Sequence, residues 1–99
     1  MKIKVNKEAA KWYQDELRLQ AGDSVRFFVR YGGSSTIQKG FSLGVAKEDI
    51  EDAGASIKAE GIEFFVSERD LWYFDGNDLL VEFDAERKEP VFDYEKAAD

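Results

Sequence analysis

Residues 25 to 46 constrain this chain more than any other stretch, because they read as two β-strands joined by a small polar loop. Along the first, Val25, Phe27, Val29 and Tyr31 alternate with Arg26, Phe28 and Arg30. That period of two marks a strand with one buried face. On the second, Ile37, Phe41, Leu43 and Val45 share a face that Lys39 alone interrupts. The opposite face carries Gln38, Gly40, Ser42 and Gly44, too small to fill space, so a larger group is expected to pack over it. Gly32, Gly33, Ser34, Ser35 and Thr36 between the strands are turn-forming residues.

The flanking segments supply the remaining elements. Ile3 and Val5 alternate with Lys2 and Lys4 in a short strand. Asn6 reads as an N-cap for a helix over residues 7 to 19, with Glu8 in its first turn. Ala9, Ala10, Trp12, Tyr13 and Leu17 make its apolar stripe, Lys11 and Asp15 are spaced to pair, and Gly22 is placed as the stop. Residues 47 to 54 form a charged connection whose carboxylates lack the spacing of a calcium loop. Strands are expected over residues 56 to 60 and 62 to 67, around a turn at Gly61. Ser67 and Asp70 have the capping-box spacing that opens a short second helix. Leu71, Trp72, Tyr73 and Phe74 on that helix must face two ways, and residues 75 to 77 close it. A further strand follows through Leu79, Val81 and Phe83, then a polar connection over residues 85 to 89, a last short strand at residues 91 to 94 and a frayed tail. The fold class is α+β in one domain spanning residues 1 to 99, with an N-terminal helix and a second short helix.

Composition narrows the chemistry. The chain has neither cysteine nor histidine, which removes the thiolate nucleophile, the soft metal ligand and the commonest general base. Without them, covalent catalysis would fall to Ser34, Ser35 or Thr36, and no activating partner is visible, so no enzymatic activity is expected. The net charge of −7 opposes nucleic-acid binding, which needs a basic field. The charge is unevenly spread. Residues 1 to 45 hold eight Lys/Arg against four Asp/Glu, a balance of +4, and residues 46 to 99 hold six against seventeen, a balance of −11. An acidic second half would suit a basic partner. No signal-like run opens the sequence and no stretch approaches the roughly 20 apolar residues that span a bilayer, so a cytoplasmic protein without a membrane partner is expected.

The order of elements resembles the HesB/IscA-type iron–sulfur biogenesis family over nearly the whole chain. The resemblance is carried by residues 25 to 31, the loop of Gly32, Gly33, Ser34, Ser35 and Thr36, then Gly40, Phe41, Ser42 and Leu43, and later Gly61, Ile62, Leu71, Phe74, Gly76 and Leu79. Within that family the chain is most similar to a divergent branch of small, largely uncharacterised proteins sharing the Phe-Phe-Val-Arg-Tyr-Gly-Gly and Asp-Leu-Trp-Tyr-Phe runs. The resemblance implies a twisted, partly open β-barrel-like sheet with flanking helices, and assembly into dimers or tetramers. It also implies a site of three cysteines holding iron or a cluster. The first would fall at Ser34, and the other two, a Cys-Gly-Cys motif, would follow the segment matching Phe92, Asp93 and Tyr94, where this chain has Glu95, Lys96, Ala97, Ala98 and Asp99. Clusters are held by thiolates, so no metal and no cofactor is expected here.

Three functional readings follow. The first is a non-enzymatic domain that binds an unknown protein partner or a second copy of itself, with Phe28, Trp72, Tyr73 and Phe74 as interface candidates. The second is a small-anion site in which Arg26 and Arg30, flanking Phe28, and the loop after Tyr31 capture carboxylate or phosphate. The third is an accessory of iron–sulfur biogenesis that holds no cluster itself.

Overall fold

The structure is a computed structural model and describes residues 1–97. Its elements follow in the order β1 (Ile3–Val5), α1 (Lys7–Glu16), β2 (Ser24–Ser34), β3 (Lys39–Lys47), β4 (Ala53–Ala59), β5 (Ile62–Ser67), a 3-10 helix (Glu68–Phe74), β6 (Asn77–Asp84) and β7 (Glu89–Lys96). The α+β class is as expected. The strands form two open sheets, β3-β2-β5-β4 and β1-β6-β7, and neither closes into a barrel.

The central hairpin sits where the alternation placed it. β2 and β3 pair antiparallel with Phe27 opposite Val45, Phe28 opposite Gly44 and Tyr31 opposite Phe41. The group covering the small-residue face is Phe28 itself. A Cβ on Gly44 would stand 2.5 Å from the Phe28 ring and 2.7 Å from Cδ of Arg30, so only glycine admits this cross-strand contact. Phe27 points the other way and is the joint of the core. Its ring stacks on Phe64 of β5 at 5.8 Å, and meets Phe92 of β7 edge-on at 5.6 Å and Tyr13 of α1 at 6.0 Å. One side chain thus touches both sheets and the helix.

Several boundaries differ from the sequence expectation. The Asn6 side chain does cap α1, accepting from the N–H of Glu8 at 2.7 Å and of Ala9 at 3.4 Å. The helix ends at Glu16, three residues early, because Arg18 turns left-handed at φ 52°. Gly22 therefore terminates nothing; its N–H bonds the carbonyl of Gly61. Lys11 lies 4.0 Å from Glu60 and forms no ion pair with Asp15. β4 starts at Ala53, ahead of the expected residue 56, and Gly54 there makes room for Leu71, whose Cδ1 would lie 2.7 Å from any Cβ. β7 continues through Lys96 against β6, so residues 95 and 96 belong to a strand and not to a tail; Ala98 and Asp99 lie outside the described residues.

Two phenols report on the core. Burial holds Tyr13 above the ordinary phenol value of 10.0, and burial followed by the hydrogen bond to Tyr73 does the same for Tyr94. The folded chain keeps these protons where the unfolded chain releases them. Their contribution to stability is complete below about pH 10 and drains away as pH rises above it. Urea midpoints should accordingly hold steady up to about pH 9 and fall through about pH 11, and Tyr94→Phe should flatten part of that fall. An alkaline limb of equal slope in the variant would contradict this assignment.

Candidate functional site

The residues singled out along β2 line three different clefts. Arg26 lies in the floor of the first. Its Nη2 donates to Asp70 Oδ2 at 2.9 Å, its Nη1 stands 3.5 Å from Glu48 Oε1, and its guanidinium carbon lies 5.8 Å from the Phe28 ring centroid. Only 12% of the Arg26 side chain and 11% of Asp70 are exposed. This pair explains why the capping box does not form: Ser67 occupies the N-cap position without a side-chain hydrogen bond, and Asp70 is turned to Arg26. Residues 48–52 carry the chain from β3 at one sheet edge to β4 at the other, past the face that holds Arg26 and Phe65. Glu48, Asp49, Glu51 and Asp52 from this crossover and Glu68 from the 3-10 helix surround a cleft of about 360 Å³. Its field is negative and its arginine fork is taken, a poor setting for an anion. Among the described residues no group of three metal-binding side chains converges.

Arg30 does not join it. It is exposed, lies beside Gly44 and lines a separate open groove with Trp12, Leu17 and Pro90.

The loop of Gly32, Gly33, Ser34, Ser35 and Thr36 closes the hairpin tip. A register shift between Tyr31 and Ser34 and the positive φ of both glycines re-aim the chain there. The N–H of Gln38 bonds Ser35 Oγ at 3.1 Å, and Gln38 Nε2 bonds the carbonyl of Tyr73 at 3.2 Å, tying the tip to the 3-10 helix. Ser34, Ser35, Thr36, Ser42, Tyr73 and Tyr94 line a cleft of about 320 Å³ over Leu43, Val91 and Phe92. The Tyr73 and Tyr94 hydroxyls lie 3.0 Å apart. The fold thus brings the Ser34 loop and the Tyr94 strand together, the two places to which the resemblance assigns the cysteines. Every side-chain donor lining this cleft is a neutral hydroxyl, and Tyr94 is held above the ordinary phenol range. This set does not fit an iron–sulfur cluster, which needs thiolate ligands.

The aromatics sort themselves into core and surface. Tyr73 and Phe74 are buried. Trp72 is 51% exposed, and Tyr31, expected on the buried face, is 92% exposed because β2 runs beyond the region that α1 and the second sheet cover. Phe41 bridges them edge-on, 5.8 Å from Tyr31 and 5.2 Å from Trp72. Tyr31, Phe41 and Trp72 form one surface row, whereas Phe28 lies on the other face of β2. Sequence reasoning missed Phe41, Glu48, Asp70 and Tyr94 as members of these sites. Only Phe41 had a local signal, its position across the hairpin from Tyr31.

Comparison with known proteins agrees with this picture. The profile of the family described as "Iron-sulphur cluster biosynthesis" matches residues 1–95. A Bacillus subtilis (strain 168) protein named "Pyruvate dehydrogenase inhibitor" is 56% identical over 95 residues, covering 96% of this chain and 100% of that protein. Uncharacterised proteins of Staphylococcus haemolyticus and Staphylococcus saprophyticus are 42% and 38% identical, each over 83% of this chain and over 86% and 87% of their own lengths. The chain therefore belongs to the iron–sulphur cluster biosynthesis (HesB/IscA-like) family, as a member with no cysteine.

Proposed function

We propose that this protein is a non-catalytic regulator that acts in the cytoplasm by binding an enzyme, and that pyruvate dehydrogenase is its target. The observation that carries this reading is the surface row of Tyr31, Phe41 and Trp72, with two large aromatic side chains held out into solvent by a third. Aromatic anchors of this kind dominate the energetics of protein interfaces. The target is taken from the name of the Bacillus subtilis relative. The hydroxyl-lined cleft agrees with a family fold retained for its shape, because it supplies no ligand for the family's metal chemistry.

The test adds purified protein to the pyruvate dehydrogenase complex of Bacillus subtilis and follows its activity. The wild-type chain is expected to inhibit saturably, and Tyr31→Ala to weaken inhibition about tenfold without lowering the melting temperature. Full enzyme activity in the presence of a large excess of the wild-type chain would remove pyruvate dehydrogenase as the target.

A further inference from the structure

We infer that the docked segment of the protein partner is basic, with apolar side chains beside its Lys or Arg residues, and that it lies along the 3-10 helix between Trp72 and the acidic crossover. This rests on the reading of the chain as an enzyme-binding regulator and names the chemistry of what it binds.

The 3-10 helix joins two features that the fold has brought side by side. Three residues make one turn of such a helix, so positions i and i+3 eclipse and Trp72 stands directly along from Arg69. Glu68 and Arg69 line the acidic cleft, so the apolar anchor begins where the cleft ends. The crossover repeats this alternation. Ile50 is 44% exposed between Asp49 and Glu51, both of which are exposed and make no ion pair among the described residues. Two exposed apolar groups, Ile50 within the crossover and Trp72 one turn on from Arg69, thus accompany a cleft bearing five carboxylates against the guanidinium groups of Arg26 and Arg69. The complement of such a surface places cations over the cleft and apolar groups beside them. The negative field turns away nucleic acid and anionic lipid alike, which leaves a protein segment as the occupant.

The experiment measures binding of the chain to the Bacillus subtilis pyruvate dehydrogenase complex at low and high salt, using wild type, Trp72→Ala and the double variant Asp49→Lys/Glu51→Lys. Asp49 and Glu51 are exposed, so the charge-reversed variant should melt with the wild type, and Trp72→Ala, which gives up its contact with Phe41, is compared at a temperature where both proteins are fully folded. Both variants are expected to bind about tenfold or more weakly at low salt, and the deficit of the charge-reversed variant should shrink at high salt. Wild-type binding with either variant unimpaired overturns the docking surface and leaves the regulator reading standing. A second arm needs no partner and no variant. Amide and indole resonances of the wild-type chain are followed during titration with a peptide of alternating lysine and leucine, and with its glutamate counterpart. Shifts confined to Trp72 and residues 48–52, seen with the lysine peptide alone, support the surface even if the complex does not bind. Equal responses to the two peptides, or none, overturn it.

Discussion

Phe27→Ala is expected to lower the unfolding free energy by about 3–5 kcal/mol, the range for removing a buried aromatic side chain from a packed core. The site has little capacity to collapse into the space, because the ring is held from four directions. Phe64 stacks on it within β2's own sheet, Phe92 reaches it from the other sheet, Tyr13 from α1, and the β2–β3 pairing fixes its backbone. A domain of this size has a total stability on the order of 5–15 kcal/mol, so the variant would be near its folding limit. Chemical denaturation, with the melting temperature as a second measure, checks the result. Tyr31→Ala is the control: the same strand and an aromatic of similar size, but 92% exposed, with an expected change within about 0.5 kcal/mol. Similar losses in the two variants would mean that the face assignment of β2 is wrong.

The second large effect is expected at Arg26. Arg26→Ala leaves Asp70 nearly buried with its charge unpaired, and removing one partner of a buried pair costs about 3–5 kcal/mol. Since 12% and 11% of the two side chains remain exposed, solvent relieves part of that cost, and a loss of about 2–3 kcal/mol is expected. Arg26→Ala combined with Asp70→Ala should be less destabilised than the sum of the single variants, because the double change removes the orphaned carboxylate together with its partner. Strictly additive losses in a double-mutant cycle would show that the two side chains do not act as a pair. The 3-10 helix and the crossover should loosen in Arg26→Ala, since this guanidinium is the side chain that reaches both Asp70 and Glu48. Faster amide exchange at residues 48–52 and 68–74 would register it.

Features set within a few residues were legible from the sequence. The Asn6 cap, the alternation at the start of β2 and the small-residue face of β3 all depend on neighbours in the chain, and all appear in the structure, whereas β5, read as alternating, is buried on both faces because Phe65 and Ser67 are covered as well. What the sequence hid was set by distant partners. Ser67 and Asp70 have the spacing of a capping box, but an arginine 44 residues away claims the carboxylate. Arg18 takes a left-handed conformation that its residue type does not advertise, so α1 ends earlier than its apolar stripe implies. Tyr31 keeps the parity of a core residue yet lies past the covered part of β2, because parity tells which face a side chain is on and not what lies over that face. Arg26 and Arg30 share a face by the same rule but open into different clefts, one of them filled with carboxylates from a crossover that no local pattern reveals.

The parallel pairing of β1 with β6 sets Ile3 beside Leu79, and the N–H of Lys2 on Asp78, a span of 76 residues. A ribosome releases the first of these strands early and the second late. The opening segment stays unpaired until residues 77–81 have emerged, so this pairing forms late and slowly. Truncated nascent products that stop before residue 81 should expose Ile3 and Val5 and invite chaperone capture.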